Sequence, residues 1–205
     1  MSDYTSTAPT TTAITLTEAK AQLNVSSTAD DTLITQQLKA ATLYLETKTR
    51  RCFVRQTRTL KADDFFDSRY VHNRRLYPGR SPLSSVTSLT YVASNGTTTT
   101  MPSSDYVVST GDQPGYIAEA YDATWPACRA QPNAVTLTYV AGHVAATSTG
   151  GTASSQMPEN IKQAIMMVVG HWYRNRESVV TGMPSKEIEM GVDALLESEM
   201  TEGYA

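Results

Sequence analysis

The feature that most constrains this chain is that its hydrophobic period changes twice along its length. Between Leu16 and Thr49 the spacing is helical, with Ile34, Leu38, Ala41 and Leu45 four, three and four residues apart. Between Phe53 and Val140 it drops toward two: Val86, Leu89 and Tyr91 stand among Ser and Thr, and Val135, Leu137 and Tyr139 alternate with Thr136, Thr138 and Val140. From Pro158 the helical spacing returns through Ile161, Ile165, Val168, Val169 and Trp172. An apolar stripe on one face of a helix must be covered by another element, and the early and late helices are natural partners. The fold class expected is therefore α+β, a helical bundle formed by the N- and C-terminal helices with an inserted small antiparallel β module.

Local signals set the boundaries. Residues 1–13 are Thr/Ser/Pro-rich without period and read as a flexible N-terminal arm. Thr15 and Glu18 fit a capping box, which starts a short helix to about Leu23, and Asp30 or Asp31 caps a second one to about Thr49. Strands are predicted at Phe53–Lys61, Leu83–Ala93, Thr97–Met101, Tyr106–Ser109, Gly115–Ala120 and Ala134–Val140, with Asn95-Gly96 as a hairpin turn. Pro158 suits a first helical turn, the helix it opens runs to about Arg176, and Ile188, Val192, Leu195 and Leu196 form a last amphipathic helix. The domains expected are 14–51 with 157–200 as the helical bundle, 52–142 as the β module, 143–156 as a flexible loop and 201–205 as a C-terminal tail.

Composition excludes several classes. The 205 residues include only Cys52 and Cys128, too few for a disulfide framework or a four-ligand zinc site. No apolar run approaches the ~20 residues of a membrane span, and the polar start is unlike a signal peptide, so an intracellular origin and no membrane association are expected. His72, His143 and His171 have no metal-ligand spacing, and no phosphate-binding glycine loop or nucleophile elbow occurs. Asp30-Asp31 is explained by helix capping, and Asp63-Asp64 sits in a loop with no candidate partner. No cofactor, metal or catalytic residue is expected, and the chain reads as a non-enzyme.

The net charge of −3 hides a segregation. From Lys48 to Arg80 ten Lys and Arg face three Asp, a net +7; from Glu187 to Ala205 six acids stand without a base. Such a dipolar chain can turn a basic surface toward phosphates and an acidic end toward a basic partner. Candidates for a DNA channel or an interface are Arg50, Arg51, Arg55, Arg58, Arg74 and Arg75. Candidates for a subunit interface are Trp172, Tyr173, Arg174 and Arg176, residue types enriched at hot spots, with the acidic Glu187, Glu189, Asp193, Glu197 and Glu199. The competing reading packs Trp172 into the helical core and sets Arg174 and Arg176 against the negative end of their own helix.

Several phrases, in order, resemble a known family. They are Ile14-Thr-Leu-Thr-Glu-Ala-Lys-Ala-Gln-Leu-Asn-Val25, Asp30-Asp-Thr-Leu-Ile34, Pro82 to Val92 followed by Asn95-Gly, Tyr116 to Tyr121 before Trp125-Pro126, Gln131-Pro-Asn-Ala-Val135 with Tyr139-Val-Ala-Gly142, and Pro158 to Ile165 running into Gly170 to Glu177. Together they resemble the head-to-tail connector (adaptor, or head-completion) proteins of tailed double-stranded DNA bacteriophages. The resemblance implies a virion structural protein at the portal vertex, made in the host cytoplasm and assembled as a homo-oligomeric ring, a dodecamer in the common case. It implies partners above and below, the portal protein and a tail, stopper or tail-terminator protein. It implies a channel for double-stranded DNA, contacted without sequence specificity, that helps retain the packaged genome. In such a ring the basic stretch and the acidic tail can pair between neighbours or with the portal, or the arginines can face the channel. A tail-completion or stopper protein, a stand-alone nucleic-acid-binding module and a small hydrolase are the alternatives.

Overall fold

The computed structural model describes residues 3–9, 11–66, 71–72, 74–143, 157–175 and 186–197. These divide into two compact units, one built from residues 3–8 and 55–142 and the other from residues 9–54 and 143–197. Of the expected loop at 143–156 the described residues include His143 alone, whose N–H donates to the Phe53 carbonyl, and the tail at 201–205 lies outside them.

In the helical unit, α1 (Leu16–Leu23) opens on the capping box: Thr15 Oγ1 accepts from the Glu18 N–H at 3.2 Å, and the Thr15 N–H donates to Glu18 Oε2 at 2.9 Å. Asn24 ends the helix in the left-handed region at φ 56°, where the Val25 N–H reaches back to the Lys20 carbonyl. Helix α2 (Asp31–Thr49) turns Ile34, Leu38, Ala41 and Leu45 onto Ile161, Ala164, Ile165, Val168 and Val169 of α3 (Glu159–Arg174), and α4 (Lys186–Leu196) adds Val192 and Leu196 to the same core. Asp30 occupies the N-cap position of α2 without a side-chain capping bond; its carboxylate accepts from the Tyr173 hydroxyl instead. Phe53 and Val54, read from sequence as the start of the β module, are buried in this helical core. Buried Glu46 holds them there by accepting from both their backbone N–H groups.

The other unit contains two antiparallel sheets. The larger has the order β1 (Asp3–Thr7), β2 (Gln56–Ala62), β9 (Val135–Ala141), β5 (Leu83–Val92), β6 (Thr98–Thr100). Central β9 buries Val135, Leu137, Tyr139 and Ala141, and its register aligns Leu60, Leu137 and Leu89 across three strands. The smaller sheet runs β3 (Val71–His72), β4 (Arg75–Leu76), β8 (Tyr116–Glu119), β7 (Tyr106–Ser109). Gly96 turns the β5–β6 hairpin at φ 89°, a conformation that a Cβ disfavours. Phe65 stacks on Trp125, their centroids 4.7 Å apart, and meets Tyr91 edge-on.

The structure corrects one further expectation here and shows the β module in more detail. The arm expected to be flexible contains an edge strand, β1, because Asp3 finds a buried cationic partner in Arg58. The β module comprises two sheets, and β3 and β4, each two residues long, are too short to leave a period in the sequence.

Candidate assembly surface

Helix α2 has a second, outward face. Gln36, Lys39, Ala40, Leu43, Tyr44, Thr47 and Arg50 are exposed at three- and four-residue spacing. Leu43 and Tyr44, at 65% and 46% exposed, put an apolar spot in its middle. The Tyr44 ring lies 6.3 Å from that of Trp172, tilted by 57°, so the spot continues from α2 onto α3. Trp172 and Tyr173 are both half-buried against the helical core. The two readings of Trp172 are thus compatible in one residue, which packs against the helical core and also neighbours Tyr44 beside an exposed leucine.

On either side of Trp172 the last turn of α3 bears His171 and Arg174, cationic or polar groups at the negative end of the helix dipole. Arg174 is exposed and, with Gln22, Leu23, Met166, Met167, His171 and others, lines an open groove of about 300 Å³. Its mixed lining contains no convergent set of buried polar groups of the kind that fixes a small ligand. Among the described residues no three His, Cys, Asp or Glu side chains come together to hold a metal ion.

The candidate arginines differ in exposure and in partners. Arg58 is 7% exposed, and its guanidinium grips the Asp3 carboxylate through both Nε and Nη2 at 3.1–3.2 Å. Arg51 is 4% exposed. Burial removes both from the set able to touch a phosphate or a neighbouring surface, contrary to the sequence reading. Arg55 is half-buried with its Nε unpartnered, and Arg50 caps α2 at φ 54°, exposed. Arg74 makes a two-pronged pair with Glu119, both contacts 2.7 Å, and Glu119 also accepts the Trp125 backbone N–H. That pairing raises the pKa of Arg74 and holds the Glu119 carboxyl below its ordinary value, chiefly through the side-chain hydrogen bond from Arg74. Arg75 lies over the Tyr116 ring, 4.4 Å from its centroid, a cation–π contact.

Of the acidic run, Asp193 pairs with Lys48 of α2 inside the chain, and Glu197 is exposed. The side chains of Glu187 and Glu189 lie outside the described residues, as do Arg176 and Glu199 altogether. Sequence reasoning missed Asp3, Leu43, Glu46 and Glu119. Only Leu43 left a signal, an apolar residue on the polar side of α2.

Residues 13–71 match the family model of the phage gp6-like head-tail connector protein. The fold is similar to that of a chain in the neck of an empty gene transfer agent particle computed with six-fold symmetry, at TM-score 0.76 and 21% identity over 100% of this chain and 98% of that one. A chain of the native gene transfer agent virion gives 0.75 at 22% identity, and one from the native neck computed with twelve-fold symmetry gives 0.70 at 21%, with the same coverage of both chains. No curated protein sequence matches.

Proposed function

We propose that this chain is a virion structural connector, a head-to-tail adaptor that forms a ring beneath the portal, continues the DNA channel and offers a docking surface to the tail or a stopper. The observation that carries this reading is the likeness, over the full length of both chains, to a component of a phage-like particle's neck, joined to the connector-family match at residues 13–71. The neck maps with six-fold and twelve-fold symmetry make a cyclic ring the natural assembly to test.

A ring closes through a heterologous contact, one face of each copy against a different face of the next. The Leu43–Tyr44–Trp172 spot is suited to one side of it: an aromatic and aliphatic anchor rimmed by Gln36, Lys39 and Arg50 has the composition of an interface centre with a polar edge. DNA enters this account as what passes through the ring, with the exposed arginines giving at most sequence-independent contacts. A stand-alone nucleic-acid module is less well supported, because Arg51 and Arg58 are buried and Arg74 is already paired.

Native mass measurement and single-particle imaging of the purified chain, with and without a portal ring, test the proposal. Closed rings that cap the portal are expected. A chain that stays monomeric at high concentration and never joins a portal would overturn it.

A further inference from the structure

Strand β1 is held in a way its sequence does not announce. Asp3 enters a buried polar site in which Arg58 donates through Nε and Nη2 at 3.1–3.2 Å and the Tyr139 hydroxyl donates at 3.0 Å. Gly79 forms a wall of this site: a Cβ there would stand 2.7 Å from Asp3 Oδ2 and would push the carboxylate from its present position. Thr5 adds bonds to Gln56 and Arg58. Yet Tyr4 to Thr7 are exposed, so β1 buries little apolar surface. Its attachment rests on polar contacts: the backbone ladder to β2, the Asp3 carboxylate in its site and the side-chain bonds of Thr5 and Ser6.

The connection is equally particular. No hairpin ties β1 to β2; between them the chain runs through residues 9–54, all in the helical unit. Residues 55–142, which supply every other strand among the described residues and the Arg58, Tyr139 and Gly79 that meet Asp3, form one continuous stretch of sequence without it. Six residues separate Thr7 from Ile14 of the helical core, a span of about 25 Å when extended. An element attached by one such span, docking on a self-contained unit through a chemically specific key, can dock identically on the same unit of another copy. In a ring whose subunit contact brings this site within reach of a neighbour's tether, the neighbour's strand is held there at high effective concentration.

We infer that the Arg58–Tyr139–Gly79 site is a receptor for the Asp3 strand of a second copy, so that β1 is exchanged from each subunit to the next around the ring. This rests on the ring reading above. Exchange loses no contact found within one chain and adds a covalently tethered link between neighbours.

The test uses Thr7 and Thr57, cross-strand partners outside the Asp3 site. A Thr7→Cys chain and an isotopically heavy Thr57→Cys chain are mixed, assembled and oxidised. Disulfide-linked heavy–light pairs are expected, with no link in the unsubstituted chain, which carries only Cys52 and Cys128. Closed rings that yield no heavy–light pairs, while the Thr7→Cys/Thr57→Cys double variant links only within single chains, would overturn the exchange and leave the ring reading standing. A strictly monomeric chain would overturn both. As a second measurement, Asp3→Arg and Arg58→Asp chains are each expected to fail to form rings alone and to form them when mixed; rescue only by the double substitution in one chain would also count against exchange.

Discussion

The Tyr173 hydroxyl donates to Asp30 Oδ2 at 2.6 Å, joining the last turn of α3 to the N-cap residue of α2 across 143 residues of sequence. The bond closes one end of the helical pair whose middle is held by Leu38, Ala41, Ile165 and Val168. A hydrogen bond to a charged acceptor contributes about 1.5–3 kcal/mol, and the Tyr173 ring would keep its packing in the phenylalanine variant. Tyr173→Phe is expected to lower the stability of the helical unit by about that amount, read as a lower urea midpoint at unchanged slope.

Asp3 and Arg58 form a buried pair, at 10% and 8% side-chain exposure. Removing one member of such a pair leaves the other charge buried and uncompensated, at a cost of about 3–5 kcal/mol, whereas replacing both with apolar groups is close to neutral. Asp3→Ala should therefore destabilise the sheet unit strongly, and Asp3→Ala/Arg58→Met should recover much of the loss. Hydrogen exchange of β2 amides, compared across the two variants, reads the difference.

What could be read from the sequence was what is local. Thr15 and Glu18 sit three apart and cap α1, Asn95-Gly96 turns a hairpin, and the alternation of Val135, Leu137 and Tyr139 becomes the buried face of β9. What could not be read depends on partners far along the chain. Asp30 looks like a helix cap until Tyr173 is folded against it, and Asp3 looks like part of a polar arm until Arg58 is 3.1 Å away. Arginines that stand together in sequence have different surroundings in the fold: Arg51 is buried, Arg58 meets Asp3, Arg74 meets Glu119 and Arg75 lies over Tyr116. The exposed apolar face of α2 was hidden by the stronger stripe on its other side.

Glu119 makes the sheet unit sensitive to acid. Its folded pKa lies below the unfolded carboxyl value near 4.5, because the charged form accepts from Arg74 and from the Trp125 N–H. A group with a depressed folded pKa contributes stability that is full above its unfolded pKa and is lost as pH falls through the folded value. Glu119→Gln should lower the urea midpoint at pH 7, and the gap between variant and parent should shrink steadily below pH 4.5. A gap that stays constant to pH 2 would remove Glu119 from the account.

The Lys48–Asp193 pair invites a test by deleting the acidic end, but Val192 and Leu196 of the same helix are core residues, and deletion would remove them as well. Substitution separates charge from packing. The pair is a quarter to a half exposed, and such ion pairs contribute less than about 1 kcal/mol. Asp193→Asn should shift thermal unfolding only slightly, with the shift vanishing in 0.5 M salt.

Leu43 distinguishes assembly from folding most directly. At 65% exposure it contributes little to the helical core, so Leu43→Glu should leave the unfolding midpoint within about 0.5 kcal/mol of the parent. In an interface centre the same change places a carboxylate among apolar groups beside Tyr44 and Trp172, where burying an unpaired charge costs several kcal/mol. The expected outcome is a normally folded chain that no longer forms rings, measured by thermal unfolding and native mass on one sample. Rings that persist with Leu43→Glu would place the subunit contact on another face, and Tyr44→Ala, which removes the neighbouring anchor without adding charge, should then be equally silent.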